Sequence, residues 1–261
     1  MRIAAGLEYE GTAYSGWQAQ GHARGVQTEV EAALSRIADQ TVATTCAGRT
    51  DAGVHAAGQV IHFDTTAQRP TDAWLLGGNS QLPPDISLRW IRPVADEFHA
   101  RYSARARRYR YVIHNSRSRS GLFAHRAGWC TWPLDAQRMH EAARHLLGEH
   151  DFSAYRAAEC QSRTPHRRVL EISVKRSGEW LAIEIEANAF LHHMVRNIAG
   201  VLMAIGRGSQ PVDWTRTVLE GRDRRLGGVT AGPEGLYFLQ VRYDAHFQLP
   251  LSELPGFGVL P

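Results

Sequence analysis

Segments with strand-like alternation and segments with helical periodicity follow one another in the same order in both halves of the chain. In the first half, the pattern predicts strands and helices at residues 3–9 (strand), 26–37 (helix), 42–47 and 60–63 (strands), 74–76 (helix) and 86–90 (strand). In the second half, it predicts them at residues 108–114 (strand), 139–147 (helix ending at Gly148), 170–174 and 181–185 (strands), 190–205 and 214–219 (helices) and 236–243 (strand). Apart from the short helix at 214–219, each half has the order β-α-β-β-α-β.

This repeated order predicts an α+β fold made of two tandem ferredoxin-like halves. We expect the halves to comprise residues 1–104 and 105–261, and their sheets to form one catalytic cleft. Hydrophobic residues make up 43% of the 261 residues, which is enough for a sizeable core. The tail from 249 to 261 is rich in proline and glycine, and we expect it to pack on the surface. Because such folds host many activities, function has to be inferred from the motifs.

Charge and cysteine content restrict the class of protein. The formal net charge is +4, and Lys175 is the only lysine among the cationic residues. The excess of arginine fits either a GC-rich genome or recognition of phosphates and bases by guanidinium groups. Cys46, Cys130 and Cys160 lack C-x-x-C spacing, which argues against a zinc site and a disulfide framework. No apolar run is long enough to span a bilayer, and the N-terminus lacks the features of a signal peptide, so we expect a soluble, cytoplasmic protein.

An acidic residue lies in a glycine-flanked loop that follows a predicted strand. Residues 48–56 read Gly-Arg-Thr-Asp-Ala-Gly-Val-His-Ala, which places Asp51 between two glycines. Glycines allow a sharp turn and the close approach of a substrate, so the loop is a candidate catalytic site. A surface turn in which Asp51 caps a helix fits the pattern equally well.

His55, His62 and Asp64 follow this loop and offer metal-ligating groups near Asp51. Their spacing matches no compact metal motif such as H-E-x-x-H. His62 alternates with apolar neighbours and is predicted to lie on the polar face of its strand rather than to bind a metal. We therefore expect no metal site here.

A run of arginines and tyrosines lies on the first predicted strand of the second half. Residues 105–111 read Arg-Ala-Arg-Arg-Tyr-Arg-Tyr, and on a strand Arg105, Arg107, Tyr109 and Tyr111 share one face. Arginines for phosphates beside rings for unstacked bases are typical of proteins that bind single-stranded RNA. Arg110 is a further candidate phosphate contact. A solvated edge strand with half-buried tyrosines also fits this pattern.

The predicted helix over residues 190–205 is mostly apolar but carries Arg196 in its middle. Burying an arginine without a partner is costly, so Arg196 either reaches solvent or pairs with an acid, and Asp51 is a candidate partner. Such an ion pair would keep the carboxylate ionised as a nucleophile. His192 and His193 point in different directions on a helix, so we do not expect them to chelate a metal.

Several stretches together resemble the tRNA pseudouridine synthase A family. Residues 48–56 resemble its catalytic motif, and residues 11–18, Gly-Thr-Ala-Tyr-Ser-Gly-Trp-Gln, resemble its N-terminal signature. Residues 98–101 with 108–111 resemble its central motif, and residues 188–197 its third motif. The matches occur in order over most of the chain. Glu10 departs from the aspartate expected in the family but keeps its charge.

The resemblance implies a cofactor-free, homodimeric isomerase that converts uridines 38, 39 and 40 in the anticodon arm of tRNA to pseudouridine. Asp51 would be the nucleophile, with attack at C1′, attack at C6 and removal of a sugar proton all open to it. Tyr109 would stack on the flipped uracil and help to remove its C5 proton. Arg196 would pair with Asp51, and Arg49 would help to displace the base and hold the flipped nucleotide. The reaction breaks the C1′–N1 bond, rotates the base and rejoins it through C5, which requires base extrusion but no metal or group donor.

Two other classes of protein compete with the isomerase. A non-catalytic RNA-binding protein built from two RRM-like halves would explain the fold order and the Arg-Tyr strand. It would not explain a carboxylate placed where it weakens phosphate binding, and the aromatic signature of RRM domains is not apparent. A metal-dependent hydrolase would use Asp51, His55, His62 and Asp64, whose spacing does not support it. The motif matches favour the isomerase.

Overall fold

In the computed structural model, which describes residues 1–21 and 23–250, the contacts within the chain divide it into two units. The first unit comprises Met1–Arg105 together with the stretch that begins at Phe238, and the second comprises Ala106–Tyr237. The division between them falls inside the last strand, β10, Leu236–Arg242. Both units mix helices and strands, so the chain has an α+β fold.

The first unit has its strands and helices close to the predicted positions. They are strand β1 Arg2–Tyr9, helix α1 Val26–Ala38, strand β2 Thr45–Cys46, strand β3 His55–Asp64, helix α2 Gly78–Gln81 and strand β4 Ile86–Val94. A π-helical turn, Ala73–Gly77, leads into α2. β1 pairs antiparallel with β3 and with β4, which gives the order β4-β1-β3, and the short β2 pairs with β3.

Helix α1 shows how the sequence pattern determines these elements. The apolar residues at helical spacing are buried, so this face of the helix lies in the core: Val26, Val30, Ala33 and Leu34. The helix ends at Ala38 because Asp39 adopts a left-handed conformation with φ of 53°, and its N–H donates to the carbonyl of Ser35.

The second unit begins with a long strand and contains two short strands that the sequence pattern does not predict, β6 and β7. Its elements are strand β5 Ala106–Asn115, strand β6 Gly128–Cys130, helix α3 Ala136–Ala143, strand β7 Gly148–Asp151, strand β8 His166–Ser177, strand β9 Trp180–Ala187, helix α4 Met194–Gly206 and helix α5 Trp214–Gly221. Antiparallel pairing gives the order β5-β9-β8-β7, and β6 runs parallel to the end of β5. The pairing of β5 with β9 sets the register of the Arg-Tyr run.

The predicted start of helix α4 is wrong. The helix begins at Met194 rather than at residue 190 because His193 has a left-handed φ of 59°. An L-residue in this conformation does not continue a right-handed helix, so Phe190 and Leu191 precede the helix although they continue its apolar stripe.

The predicted role of Gly148 is also wrong. Helix α3 ends at Ala143, and a 3₁₀ turn continues to Leu146. Gly148, with φ of 96°, begins strand β7 instead of ending the helix. Gly148 was expected to end the helix, but a glycine with positive φ can stand at the start of a strand as well as at the end of a helix.

The tail expected to pack on the surface lies outside the described residues beyond residue 250. Among the described residues, no helix has the length and apolarity to cross a membrane. Helices α1 and α4 have 13 residues each, against about 20 needed to span a bilayer.

Candidate active site

Asp51 lies in the loop that joins β2 to β3 in the first unit and is half-buried. The chain turns at Gly53, which has φ of 75°, and the N–H of Val54 donates to the carbonyl of Asp51 at 3.1 Å. The turn leads directly into strand β3. Interpreting Asp51 as a helix cap is therefore wrong.

The loop that carries the N-terminal signature, residues 11–18, packs against this acidic loop. The N–H of Trp17 donates to the carbonyl of Thr50 at 3.0 Å, and the N–H of Gly53 donates to the carbonyl of Tyr14 at 3.2 Å. These main-chain bonds lie on both sides of Asp51. The two stretches that resemble separate family motifs thus form one structural unit around the carboxylate.

Two glycines of the signature loop permit this contact. A Cβ added at Gly11 would lie 2.0 Å from the carbonyl oxygen of Val54, and one added at Gly16 would lie 2.5 Å from that of Thr50. Gly16 also has a φ of 92°, which L side chains rarely adopt. Only glycine brings the two backbones this close.

Buried polar side chains support the acidic loop from the strands beneath it. The hydroxyls of Tyr9 and Thr50 are 2.8 Å apart in a hydrogen bond, and Nε2 of Gln59 donates to the carbonyl of Gly48 at 2.6 Å. Burial raises the pKa of Tyr9, so its phenol stays protonated. Sequence reasoning missed Tyr9 and Gln59, although a glutamine inside the apolar strand β3 is a signal of a buried polar contact.

His55 is a structural acceptor in this region. Its Nδ1 accepts the N–H of Gly11 at 2.9 Å, and a carboxylate oxygen of Glu10 lies 3.3 Å from the same nitrogen. Because a backbone N–H can only donate, this Nδ1 carries no proton and does not form an ion pair with Glu10. His55 therefore fixes the start of the signature loop.

His62 and Asp64 are also engaged in structural contacts. His62 is buried rather than on a solvated face, and its Nδ1 accepts the N–H of Ala100 at 3.1 Å. Burial lowers the pKa of His62 to about 4, so the ring is neutral at physiological pH. Asp64 accepts two hydrogen bonds from the guanidinium of Arg2. The structure gives no support to a shared metal site of His55, His62 and Asp64.

Exposed guanidinium groups lie near the start of the acidic loop. Arg49 and Arg101 are both exposed. Burial raises the pKa of the Cys46 thiol to about 11, and the positive charges of Arg49 and Arg101 oppose this shift. Both cations are thus close enough to the end of β2 to act on the same buried group. Such exposed guanidinium groups suit contacts with phosphates.

Tyr109 lies on strand β5 of the second unit and is buried. Its ring packs edge-on against Phe190, with centroids 4.9 Å apart and an interplanar angle of 79°. β5 pairs with β9 along most of its length, and Tyr111 is buried as well. Interpreting this segment as a solvated edge strand with half-buried tyrosines is therefore wrong.

Arg110 is a structural residue and not a phosphate contact. Only 3% of it is exposed, and its Nε and Nη2 donate to one carboxylate oxygen of Glu184 at 2.9 and 2.6 Å. Arg110 and Glu184 lie directly opposite each other on β5 and β9, as do Arg108 and Glu186. Each buried charge in these cross-strand pairs is thus neutralised by its partner on the neighbouring strand. The predicted phosphate role of Arg110 is wrong because a buried, paired guanidinium cannot reach RNA.

Arg105 does not belong to the face predicted for it. It precedes β5, lies in the first unit and donates from Nε and Nη2 to Asp244 at 2.9 and 2.6 Å. The shared face of the Arg-Tyr run therefore begins no earlier than residue 106.

Arg196 lies in the first turn of helix α4 in the second unit and is half-buried. Its Nε donates to the carbonyl of Ala231 at 2.8 Å, and the N–H of Ala231 donates to the carbonyl of Arg196 at 3.1 Å. The guanidinium is thus anchored by the backbone of another segment. His192 and His193 precede the helix, with ring centroids 4.0 Å apart, so the prediction that they point in different directions on a helix is wrong.

The predicted site residues divide between the units: Asp51 and Arg49 lie in the first, and Tyr109 and Arg196 in the second. A carboxylate on a glycine-built loop, with exposed guanidinium groups near it, suits an enzyme that acts on a polyanion. A family model described as tRNA pseudouridine synthase matches residues 5–103 and 142–244. The chain belongs to the tRNA pseudouridine synthase family, whose enzymes isomerise uridine to pseudouridine in tRNA.

Relatives of this chain match it over nearly their whole length. A tRNA pseudouridine synthase A of Coxiella burnetii (strain Dugway 5J108-111) is 54% identical over 256 residues, covering 98% of both chains. One of Aeromonas hydrophila is 56% identical over 254 residues, covering 97% of this chain and 94% of that one. A solved chain from an H/ACA RNP bound to a substrate RNA containing 2′-deoxyuridine covers 78% of this chain and 44% of its own length at 10% identity. Its TM-score is 0.39.

Proposed function

We propose that this protein converts uridine to pseudouridine at positions 38, 39 and 40 in the anticodon arm of tRNA, with Asp51 as the nucleophile acting on a flipped-out nucleotide. The observation that carries the proposal is the fixed backbone around Asp51, where the signature loop bonds to Thr50 and Gly53. A catalytic group lowers the barrier of a reaction most when its scaffold holds it in the reactive geometry. A surface carboxylate without a catalytic role would not need such support.

The proposed chemistry is an isomerisation and balances without a co-reactant. Asp51 attacks the nucleotide, the C1′–N1 bond breaks, the uracil rotates, a C1′–C5 bond forms, and the bond between Asp51 and the nucleotide breaks again, which regenerates the carboxylate. The proton leaves C5 and N1 gains one, so substrate and product have the same composition. The target base must first leave the helical stack, which costs a few kcal/mol and is offset by stacking and phosphate contacts.

The other site residues take the roles that the family resemblance implies. Arg49, exposed in the loop of Asp51, would help to displace the base and hold the flipped nucleotide. Tyr109, held by its edge-on contact with Phe190, would stack on the uracil. Arg196, anchored on the carbonyl of Ala231, would pair with Asp51.

We also infer that each half is a version of the ferredoxin-like fold, divided near residue 105. The antiparallel order β4-β1-β3 supports this for the first half, and β5-β9-β8 for the second. The common cleft, the homodimer and the cytoplasmic location stay predictions. Size measurement of the purified protein in solution tests the homodimer directly.

The deciding experiment measures pseudouridine in unmodified tRNA transcripts that each carry one uridine, at position 38, 39 or 40. Wild type is compared with Asp51→Asn and with the control Asp72→Asn, all in EDTA. Asp72 is an exposed acid of the same unit whose side chain forms no helix-capping bond. We expect wild type and Asp72→Asn to modify the transcripts and Asp51→Asn to bind them without turnover.

Other outcomes would contradict specific parts of the proposal. Turnover by Asp51→Asn at the wild-type rate would remove the nucleophile assignment. Loss of wild-type activity in EDTA would favour the metal-dependent class. If wild type binds tRNA but forms no pseudouridine at any of the three positions, the position assignment or the activity is wrong.

A further inference from the structure

The third family-like stretch ends in a residue for which the proposed function gives no role, Asn197. It follows Arg196 in helix α4, is only 2% exposed, and its side chain takes part in the three hydrogen bonds described below. We propose that Asn197, Thr230 and Arg224 form a relay that positions Arg196 by fixing the carbonyl of Ala231. The proposal rests on the proposed role of Arg196 in the reaction.

The relay is a closed set of hydrogen bonds with defined directions. Nδ2 of Asn197 donates to the carbonyl of Tyr155 at 2.8 Å, which fixes the orientation of the amide. Its Oδ1 accepts the hydroxyl of Thr230 at 2.7 Å and Nη2 of Arg224 at 3.0 Å. The same Nη2 also donates to the hydroxyl of Thr230 at 2.8 Å. The Thr230 hydroxyl thus both donates and accepts, so its position is fixed from two sides.

The segment that carries Thr230 crosses helix α4 at close range. A Cβ added at Gly200 would lie 1.8 Å from the carbonyl oxygen of Val229, so only glycine in the helix permits this crossing. Farther along, the hydroxyl of Tyr111 donates to the carbonyl of Gly232 at 3.0 Å. Ala231 lies between Val229 and Gly232, and these two contacts restrict the position of its backbone.

Ala231 is the point at which the relay acts on Arg196. Its N–H and its carbonyl both bond to Arg196, the carbonyl to Nε of the side chain at 2.8 Å. The Nε hydrogen lies in the guanidinium plane, so a carbonyl fixed in space restricts the rotation of that plane. Thr230 precedes Ala231 directly, and a shift of its hydroxyl therefore moves the carbonyl that holds Arg196. Asn197, Thr230 and Arg224 are positioning residues in this arrangement.

The test compares Thr230→Val, which removes the hydroxyl while keeping the shape, with Thr230→Ser, which keeps the hydroxyl. Each variant is made in wild type and in an Arg196→Ala background, and Thr217→Val is the control. Thr217 lies on α5 of the same unit, and its hydroxyl donates to the carbonyl of Asp213 at the start of that helix. The readouts are the single-turnover rate on tRNA, tRNA affinity, the melting temperature, and the exchange rate of the Arg196 Nε hydrogen measured by NMR.

We expect Thr230→Val to slow single turnover about tenfold and Thr230→Ser to restore it to within about twofold, both with unchanged tRNA affinity. In the Arg196→Ala background, Thr230→Val should slow turnover by less than about twofold, because the two changes act through one group. The Nε hydrogen should exchange faster in Thr230→Val than in wild type or Thr217→Val.

An equal slowing by Thr230→Val in both backgrounds would overturn the relay, as would unchanged exchange of the Nε hydrogen. A fall in melting temperature with a normal rate per folded molecule would show a purely structural role. Full activity of Arg196→Ala would instead refute the proposed role of Arg196 in the reaction. The NMR readout does not depend on activity, so the failure of the relay and the failure of the proposed function can be told apart.

Discussion

Replacing Gly16 by alanine tests how the backbone holds the proposed nucleophile. Gly16 lies in the signature loop. The Cβ of an alanine at this position would lie 2.5 Å from the carbonyl oxygen of Thr50, the residue before Asp51. The two loops must separate before this methyl group fits. The separation would break the bond from Trp17 N–H to the Thr50 carbonyl and move Asp51 with it.

The expected magnitude follows from the distance and the conformation. An unstrained carbon–oxygen contact needs about 3.5 Å, so the loops must move apart by about 1 Å. The positive φ of Gly16 adds about 1–2 kcal/mol of backbone strain. A misplacement of about 1 Å at a reacting group costs on the order of a hundredfold in rate. We therefore expect Gly16→Ala to lower single turnover about a hundredfold while lowering stability only modestly.

The assay follows release of tritium from tRNA labelled at C5 of uridine, because the C5 hydrogen leaves during the reaction. Gly208→Ala is the matched control: Gly208 has φ of 78°, but nothing lies within 4 Å of its added Cβ. This control suffers the strain without the clash, so its rate per folded molecule should equal that of wild type. If Gly16→Ala shows the same normal rate, the signature loop does not position Asp51 and the reasoning is refuted.

Two further predictions concern buried ionisable side chains. Arg110→Met should destabilise the protein by about 3 kcal/mol in urea unfolding, because it leaves Glu184 without its buried partner, and adding Glu184→Leu should restore most of the loss. The same variant should leave the salt dependence of tRNA binding unchanged, whereas a lost phosphate contact would flatten it. Burial lowers the pKa of His62 to about 4, which is below the pKa of a histidine in the unfolded chain. The folded protein therefore resists protonation of this ring. The contribution of the neutral ring to stability is complete above the unfolded pKa and is lost as the pH falls toward 4. Urea unfolding should therefore show a loss of about 2 kcal/mol between about pH 7 and about pH 5, and His62→Gln should show a smaller loss; an equal loss in both would contradict the assignment to His62.

Periodicity located most strands and helices but not the start of helix α4. The apolar stripe continues from the helix back to Phe190, and periodicity reports burial rather than conformation. Phe190 is apolar because its ring packs on Tyr109, outside the helix. The left-handed conformation of His193 that sets the true start depends on packing, since few local signals predict a positive φ in a histidine.

The ion pair of Arg110 could have been predicted by comparing the charge patterns of the two strands. Arg108 and Arg110 alternate on β5, and Glu184 and Glu186 alternate with the same period on β9. Antiparallel pairing places opposite charges face to face in such a pattern. A single strand cannot reveal this, because an arginine on its own fits a phosphate contact as well as an ion pair.

The anchoring of the candidate site could not be predicted from the motifs, because it depends on tertiary contacts of glycines. Nothing in the sequence near Gly11 or Gly16 tells which backbone each one approaches. The family resemblance selects Asp51 and Arg196, but the groups that hold them come from segments remote in sequence.

In each unit, main-chain hydrogen bonds next to a closely packed glycine hold a proposed functional residue, by the backbone around Asp51 and by the side chain of Arg196. Gly16 lets the signature loop bond to the backbone around Asp51, and Gly200 lets the segment of Ala231 cross the helix of Arg196. Main-chain donors and acceptors lack rotamers, so they hold a reactive group with less residual motion than a long side chain does. If this holds, an alanine at either glycine should impair catalysis more than the removal of a neighbouring polar side chain that leaves the backbone in place. The comparison of Gly16→Ala with Tyr9→Phe, which removes one hydroxyl bonded to Thr50, measures that difference within one loop.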